Sequence, residues 1–598
     1  MAFALRPVFA SLAALLAATL ASAELYTDAS QLPDTVYDFV VVGAGTAGNV
    51  MAARLSENPK FTVLVIEAGI SNEGVRTVEV PFLATQNIPA TATTWNYTTV
   101  PQVGLGNRSV AYPRGRVLGG SSSINFLAYT RGADAEFDRW ANLTGDAGWA
   151  WSNLAPYYLK NARLVPPADH HNTSGQVVPA DHGYGPLEMS LPGFATSSDQ
   201  KVLATTQVNG SLFPYNIDLN SGNSVGIGLT QSTLGGGERS SSATAYLEPA
   251  LNRPNLHLLI ENTVTKLVSS KGAKGVPTFT GVEFASSASA PRHTVTARKE
   301  VILSAGAIGS PQILLLSGVG NSTDLKGLGI APVANLPDVG QNLKDHPILS
   351  NYWQVTLNDT FDDIYRDTSV FNAKLAQWNS SRTGLFADSP TNALGFLRIP
   401  DNAAIWSQFK DPAAGRQAGH FELLFLDGYA PAPAPGPGNY FTINTAVVTP
   451  ESVGTVKLNS SSPFAFPLID PGFFTAPFDV QAMVYAIKSA RAFMQSAPWA
   501  GVALSRVGPV GDAESDADII AAARAAARTI YHPTSTARMA PDNAAWGVVD
   551  TQLRVKGVSG LRVVDASVFP SIPAAHPQAA VYILAERAAD LVKQAWSH

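Results

Sequence analysis

Three glycines and one glutamate near the start of the chain have the types and spacing of a nucleotide-binding site. Gly43, Gly45 and Gly48 belong to the run GAGTAG, and Glu67 follows nineteen residues after the last of them. Gly43 permits a tight turn, Gly45 lets the backbone approach a pyrophosphate, and Gly48 lets a helix pack closely on a strand. Glu67 is placed to accept hydrogen bonds from a ribose diol. This set predicts that the chain binds a dinucleotide.

The elements that must position these residues can also be predicted. An apolar run at 39–42 indicates a strand before the glycines, residues 49–56 favour a helix, and a second apolar run at 61–66 indicates a strand that ends at Glu67. The N-terminus of the helix would offer unpaired N–H groups to the phosphates. Because strand, helix and second strand form a complete βαβ unit, a glycine turn without a nucleotide is the less favoured alternative.

Farther along, the pattern predicts further elements in the order that a mixed fold needs. Strands are expected at 257–268, at 294–303 and within 441–458, and helices at 312–316, 481–494, 516–529 and 579–596. The proline-rich run at 427–439 is expected to be a loop.

Composition narrows the class of protein. The chain has 598 residues, of which 45% are hydrophobic and 14% charged, which is typical of a globular protein. A net charge of −6 argues against nucleic acid or an anionic membrane surface as a partner. The absence of cysteine excludes disulfides and thiol catalysis.

The N-terminal segment resembles a secretory signal. Residues 10–20 are apolar but too short to span a bilayer, and Ala21-Ser22-Ala23 gives a cleavage pattern, so residues 1–23 are predicted to be a signal peptide. The alternative is a buried N-terminal helix. No other apolar stretch of about 20 residues occurs, so no transmembrane segment is expected. Nine N-glycosylation sequons agree with secretion, at Asn96, Asn107, Asn142, Asn172, Asn209, Asn321, Asn358, Asn379 and Asn459.

Five separated segments carry a family resemblance. They are GAGTAG with residues 67–69, RGRVLGGSSSIN at 114–125, SAGAIGSPQILLLSGVG at 304–320, GQNLKDHP at 340–347, and the C-terminal pair YHPTSTARM at 531–539 and VDASVFPSIPAAHPQ at 564–578. With these segments in this order, the chain resembles the glucose-methanol-choline (GMC) flavin oxidoreductases, most of all the fungal aryl-alcohol oxidase branch. The resemblance extends over nearly all of the chain after residue 23.

The resemblance implies FAD as cofactor and a two-part architecture. The fold class is α/β plus α+β: a discontinuous, Rossmann-like FAD-binding domain and an interleaved substrate domain built on an antiparallel sheet packed by helices. Residues 24–345 would be mainly FAD-binding with substrate-domain insertions, and residues 346–530 mainly substrate-binding. Residues 531–598 would return to the FAD domain and carry the catalytic histidines.

The resemblance also assigns cofactor contacts residue by residue. Besides Gly43, Gly45, Gly48 and Glu67, the implied contacts are Thr46, Ala47, Ala68, Trp95, Val117, Asn125, Phe126, Leu127, Ala128, Val264, Ala566, Pro577 and Gln578. Some family members attach FAD covalently through a histidine in the glycine-serine loop. Ile124 occupies that place here, so non-covalent FAD is expected.

Two histidines are implied as the catalytic pair. Alcohol oxidation needs a base for the hydroxyl proton while the hydride passes to flavin N5, and an imidazole suits this because its pKa lies near working pH. His532 and His576 lie in the two family segments that supply the pair. His576 is expected to be the base and His532 to support the alkoxide, although the reverse assignment stays open.

The other histidines receive different expectations. His346, in the run GQNLKDHP, is expected to be structural, and His170, His171, His182 and His598 to be exposed to solvent. No histidine-carboxylate spacing suggests a metal site.

Three functions compete at this stage. The first is a secreted, FAD-dependent oxidation of a small-molecule primary alcohol, whether aromatic, furanic or a secondary-metabolite alcohol, with oxygen or another electron acceptor. The second keeps FAD but is a non-redox lyase or cyclase of the same family. The third is a non-catalytic flavin-binding protein, which two histidines in the paired positions disfavour. The sequence gives neither the substrate nor the oligomeric state.

Overall fold

Two large sheets organise the computed structural model, which describes residues 25–272, 275–430 and 434–597. The predicted signal peptide lies outside these described residues. The first sheet has eight strands, in the order Leu25–Tyr26, Leu256–Leu259, Val63–Ile66, Val36–Val42, His293–Leu303, Pro277–Ala285 and Thr263–Lys271, with Leu561–Val563 also paired to His293–Leu303.

The centre of this sheet is the βαβ unit that the sequence predicts. Val36–Val42 pairs in parallel with Val63–Ile66 on one side and with His293–Leu303 on the other, and the helix Thr46–Leu55 joins the first two. Residues 39–42, 63–66 and 301–303 of these strands are buried on both faces, which explains their continuous apolar runs. The predicted strands at 39–42, 61–66 and 294–303 are therefore confirmed, with ends that differ by a few residues.

The single strand predicted at 257–268 is wrong, because the chain turns in its middle. Glu261 has a φ of 57°, and its N–H donates to the Gly69 carbonyl. Leu256–Leu259 is thus parallel to Val63–Ile66, whereas Thr263–Lys271 pairs antiparallel with Pro277–Ala285. The apolar pattern continues through the turn, so periodicity alone does not reveal the break.

The second large sheet is antiparallel. Its order is Ala393–Leu397, Phe421–Leu426, Asn439–Val447, Pro347–Val355 and Ala503–Val507, and Arg528–Thr529 pairs with the start of Pro347–Val355. The predicted helix at 516–529 therefore ends early, at Ala526, and its last residues form a strand instead. The helix Pro477–Met494 packs against this sheet.

Smaller sheets and the helices complete the fold. The small sheets pair Gln341–Leu343, Gly454–Lys457 and Leu468–Asp470; Thr94–Trp95 and Arg114–Gly115; Ala162–Leu164 and Leu187–Met189; Leu234–Gly235 and Glu238–Arg239; and Val319–Gly320 and Ala334–Asn335. The remaining α-helices are Arg76–Glu79, Asp134–Thr144, Trp151–Asn161, Ser197–Thr206, Glu248–Ala250, Gly306–Leu316, Ser322–Gly327, Asp362–Arg366, Thr368–Ser381, Asp516–Ala526 and Gln578–Ala595. No helix among the described residues is long and apolar enough to cross a membrane.

The helix Gly306–Leu316 begins earlier than the predicted start at 312, although it contains Pro311. Proline lacks the N–H that would bond to the carbonyl four residues earlier. That carbonyl, of Ala307, instead accepts a hydrogen bond of 2.6 Å from the Thr536 hydroxyl. The substitute donor lies 229 residues away in sequence, so the helix start could not be predicted locally.

A buried glutamate joins the beginning and the end of the chain. Glu586, on the last helix, is fully buried and lies 2.7 Å from Arg54 on the first long helix and 3.0 Å from Lys160. The Tyr246 hydroxyl also donates to it, at 2.9 Å. Since a buried carboxylate left unpaired is strongly destabilising, these contacts fix the C-terminal helix against the βαβ unit.

Candidate functional site

A large cavity lies at the carboxyl ends of the parallel strands. The space inside it, including the part open to solvent, is about 1320 Å³. Nine of the predicted cofactor contacts line it: Gly43, Gly45, Thr46, Ala47, Glu67, Ala68, Trp95, Val264 and Ala566. The cavity therefore coincides with the place where an open α/β sheet binds its ligand.

Each of the three glycines of the GAGTAG run meets a different structural requirement. A Cβ on Gly48 would lie 1.9 Å from the Gly43 carbonyl oxygen, so helix and strand could not pack together. Gly43 has a φ of 97°, in the left-handed region that favours glycine. A Cβ on Gly45 would meet only the Gly120 Cα, at 3.9 Å. Gly45 thus opens a space that the protein itself does not fill.

The N-terminus of the helix Thr46–Leu55 faces this space without a side-chain cap. Its first N–H groups have no partners within the helix, and with the helix dipole they favour an anion. Glu67, which also lines the cavity, accepts hydrogen bonds from the Ala44 and Gly69 N–H groups, at 2.8 and 2.7 Å. Each carboxylate oxygen keeps a further lone pair, so the predicted ribose contact is compatible with this geometry and stays a prediction.

The other predicted cofactor residues do not line the cavity but form the structure beside it. Val117 is buried and pairs with Ile70. Asn125 donates to the Gln578 side chain at 2.8 Å, and Gln578 donates to the Ala128 carbonyl at 3.4 Å. The loop at 125–128, which includes Phe126 and Leu127, is thereby joined to the start of the last helix, where Pro577 is the N-cap residue. Their contact with the cofactor stays a prediction.

The fold brings together the two histidines that the sequence paired. The rings of His532 and His576 have centroids 4.8 Å apart. A third histidine joins them, since Nδ1 of His346 lies 3.0 Å from Nδ1 of His532. A glutamate follows on the other side, where Oε1 of Glu422 lies 2.7 Å from Nε2 of His576. Glu422, on the strand Phe421–Leu426, is 1% exposed.

Burial keeps two of these histidines neutral. Together with the smaller effect of a positive charge on His576, it lowers the pKa of His346 to about 3 and the pKa of His532 well below its ordinary value. Because a neutral imidazole carries one N–H, each ring has one donor and one acceptor nitrogen. The neighbours therefore decide which nitrogen holds the proton.

The hydrogen-bond network assigns these protons. Nε2 of His346 has no acceptor among the described residues at ordinary hydrogen-bond geometry, although the Val448 backbone acts on this ring and raises its pKa, and a buried N–H without an acceptor is rarer than an unfilled acceptor. We therefore assign the proton of His346 to Nδ1, from which it is donated to Nδ1 of His532, so that His532 carries its own proton on Nε2. A carboxylate can only accept, so His576 donates from Nε2 to Glu422 and its Nδ1 has a free lone pair. His532 can then donate a hydrogen bond from Nε2, and His576 can take a proton on Nδ1.

Asp345 positions two of the histidines through their backbones. Its Oδ1 accepts from the N–H groups of His532 and His346, at 2.9 and 2.8 Å. Its Oδ2 accepts from the hydroxyls of Tyr112 and Thr529, each at 2.6 Å. Burial raises the pKa of Asp345 to about 6, opposed by these four donors.

Sequence reasoning missed several of these residues. His346 was expected to be only structural, but it contacts His532 directly. Glu422 has a recognisable signal in the sequence, since it is a lone acid within the apolar run FELLFL. His182, expected to be exposed, has a side chain only 2% exposed and lies 2.8 Å from Asp218. Among the described residues, no group of three or more His, Cys, Asp or Glu side chains has an arrangement that could hold a metal ion.

Known proteins match the chain over most of its length. A family model described as GMC oxidoreductase matches residues 37–348 with its N-terminal part and residues 450–585 with its C-terminal part. This chain belongs to the GMC oxidoreductase family.

Similar proteins of this family include dehydrogenases and oxidases. The chain is 39% identical to dehydrogenase eriK of Hericium erinaceus, over 98% of this chain and 99% of that protein, and 39% identical to pyranose dehydrogenase 3 of Leucoagaricus meleagris, over 96% and 95%. The structure of a formate oxidase superposes with a TM-score of 0.84 at 30% identity, covering 94% of this chain and 99% of that one. A fungal aryl-alcohol oxidase superposes with a TM-score of 0.82 at 26% identity, over 94% and 100%.

Family membership makes this protein an FAD-dependent oxidoreductase that acts on CH–OH donors. The residues present fit the cofactor. The uncapped helix end and the open face of Gly45 suit a pyrophosphate, and the remaining lone pairs of Glu67 suit a ribose.

Proposed function

We propose that this protein oxidises a primary alcohol to the aldehyde, with His576 as the base and His532 as the hydrogen-bond donor to the substrate oxygen. Bound FAD supplies the acceptor for the hydride. The observation that carries this proposal is the pair of imidazoles 4.8 Å apart, with His532 held by His346 and His576 held by Glu422, and our proton assignment leaves a free donor on one ring and a free acceptor on the other. An alcohol needs both: a lone pair that takes its proton and an N–H that holds its oxygen.

Glu422 supports the role of His576 in a second way. When His576 takes the hydroxyl proton it becomes a cation, and the carboxylate at 2.7 Å stabilises that charge. Glu422 makes no second hydrogen bond to a described residue, since its Oε2 is buried without one. The same pair also fixes the ring, so the lone pair keeps one direction.

The surroundings of the pair favour an apolar alcohol. The Phe396 ring lies edge-on to His576 with centroids 6.5 Å apart, and Phe126 lies edge-on to Tyr531 at 6.3 Å. Aromatic walls of this kind suit an aromatic or furanic alcohol, or an apolar secondary-metabolite alcohol. Two relatives are named as a pyranose dehydrogenase and as dehydrogenase eriK, so sugars belong among the compounds tested.

The alternative is non-redox chemistry on the same fold, as a lyase or cyclase. Mixing the protein under nitrogen with a panel of aryl, furan, sugar and aliphatic alcohols separates the two. Loss of the flavin's visible absorbance with at least one alcohol supports oxidation. Conversion of a compound in the panel without any loss of flavin absorbance would replace our proposal with the non-redox alternative. Repeating the reaction in air with and without an artificial acceptor then distinguishes oxygen from another electron acceptor.

We also propose that FAD is bound non-covalently and that the protein is secreted and glycosylated. Ile124, at the place of the attaching histidine in some family members, is buried and offers no nucleophile. Eight of the nine sequon asparagines are exposed, and Asn321 is partly exposed. Release of FAD by acid or heat tests the first proposal.

A further inference from the structure

A buried arginine lies behind the cavity wall and has no carboxylate partner in the part of the chain that the structure describes. Arg239 is 5% exposed. Its Nε donates to the Val78 carbonyl at 2.8 Å, and its Nη1 donates to the Ser122 carbonyl at 3.2 Å and to the Asn125 side chain at 2.6 Å. Its Nη2 donates to the Asn125 carbonyl at 2.7 Å. All four acceptors are neutral.

No carboxylate among the described residues therefore compensates the charge of Arg239. Burial lowers its pKa to about 9, and Tyr582 is the one other ionisable group among the described residues that acts on it. The guanidinium keeps its proton at neutral pH. An isolated buried charge is costly, and buried charges normally have a counter-ion. Arg562 shows the usual arrangement, as it is equally buried but paired with Glu300.

The position of Arg239 points to where a counter-ion would be. Gly120 and Ser121, next to its acceptor Ser122, line the cavity. Asn125 accepts from Arg239 through both its side chain and its backbone, and it donates in turn to Gln578, two residues after His576. The guanidinium of Arg239 thus lies directly behind the residues that line the cofactor cavity, on the side of the catalytic histidines.

We propose that Arg239 is an electrostatic positioning residue whose positive charge stabilises the negative charge that FAD gains on two-electron reduction, and so raises the reduction potential of the bound flavin. The charges balance in the reaction. The carbinol carbon loses a hydride, which is two electrons and one proton, and the hydroxyl proton goes to His576. The cofactor therefore ends with one more negative charge than before. A nearby cation lowers the free energy of that state relative to the oxidised one.

If Arg239 had only a structural role, its loss would lower the stability of the protein but would not change the reduction potential of the flavin through its charge. Arg239 cross-links the backbones of Val78, Ser122 and Asn125, so its loss would lower stability in either case. Only an electrostatic role makes the reduction potential depend on the charge of the side chain. This inference rests on FAD and not on the alcohol, because the potential can be measured with dithionite and redox dyes.

The test compares Arg239→Gln, which removes the charge, with Arg239→Lys, which keeps it. We expect both variants to lower the melting temperature. Arg239→Gln should lower the equilibrium constant of flavin reduction at least tenfold, which is about 30 mV for a two-electron couple, whereas Arg239→Lys should stay within about threefold of the parent. Arg562→Gln, a buried arginine that has its own carboxylate, should leave the potential unchanged.

An unchanged potential in Arg239→Gln, with FAD bound, would overturn the proposal and leave Arg239 a purely structural residue. Equal shifts in the Gln and Lys variants would overturn it as well. If Arg239→Gln does not fold, Arg239→Met provides a second route, because it also removes the charge but keeps a long, unbranched side chain at the same position. Its potential should fall, and an unchanged value would again contradict the proposal.

Discussion

Replacing Glu422 with glutamine tests how far the base depends on its carboxylate partner. Glutamine has nearly the shape of glutamate, and the position is 1% exposed, so the packing should be preserved. What changes is the hydrogen bond of 2.7 Å from Nε2 of His576, which loses its charged acceptor. In the reaction His576 becomes cationic, so the loss is larger in the transition state than in the resting enzyme.

The expected magnitude follows from this single bond. A hydrogen bond to a charged group contributes about 1.5–3 kcal/mol, against about 0.5–1.5 kcal/mol for a neutral one. The difference, about 1–2 kcal/mol, corresponds to a roughly 5- to 30-fold lower rate of flavin reduction, since about 1.36 kcal/mol is tenfold. An amide that turned its NH2 group towards His576 would favour the other tautomer and lower the rate further.

The measurement is rapid mixing of the FAD-loaded variant with the best alcohol of the panel under nitrogen. Glu57→Gln is a suitable control, because this half-exposed glutamate pairs with Arg54 and Lys593 on the surface, and its rate should equal that of the parent. A Glu422→Gln variant that binds FAD and reduces it within twofold of the parent rate would refute the reasoning about Glu422.

Three further predictions concern the cofactor, stability and processing. Gly48→Val should give colourless apoprotein, because a Cβ there would lie 1.9 Å from the Gly43 carbonyl oxygen. The control Gly327→Ala, whose Cβ would meet nothing within 4 Å, should keep its FAD. A yellow Gly48→Val protein would contradict this prediction. Burial raises the pKa of Asp388 to about 8, so the folded protein holds a proton there that the unfolded chain releases above about pH 4. The free energy of unfolding should therefore fall as the pH rises from about 4 to 8. Asp388→Asn should reduce this fall by up to about 1.4 kcal/mol per pH unit, which urea unfolding across this pH range would show. An identical slope in the variant would count against this role of Asp388. Secreted protein should begin at Glu24 and lose mass on deglycosylation, and an intracellular, unglycosylated chain that keeps residue 1 would exclude this processing.

The parts of the fold that the sequence predicts are those specified by neighbouring residues. The βαβ unit is one example, because the close approach of Gly48 to Gly43 is encoded within six consecutive residues. The start of the helix Gly306–Leu316 depends instead on the hydroxyl of Thr536. The strand break at Glu261 depends on a carbonyl of the distant Gly69. Contacts across such separations have no local pattern.

The candidate site also combines features that neighbouring residues specify with features that depend on distant contacts. His532 and His576 could be named because each lies in a recognisable segment, but the protons on their rings are set by His346 and Glu422. Glu422 comes from a strand of the second sheet, 154 residues before His576. Arg239 is similar, since nothing in its immediate sequence says that it is buried without a carboxylate partner. The chemistry of the site thus depends on which side chains the two sheets bring together.

The central claim is that His576 removes the hydroxyl proton while His532 holds the oxygen. The most direct measurement is the rate of flavin reduction in a single turnover under nitrogen, for the parent, His576→Ala, His532→Ala and the double variant, each loaded with FAD. We predict that each single variant is at least about a hundredfold slower, since a general base is worth roughly 10²–10⁴-fold, and that the double variant is much less impaired than the product of the two effects, because both residues serve one transition state. Near-parental rates in both single variants would contradict the account.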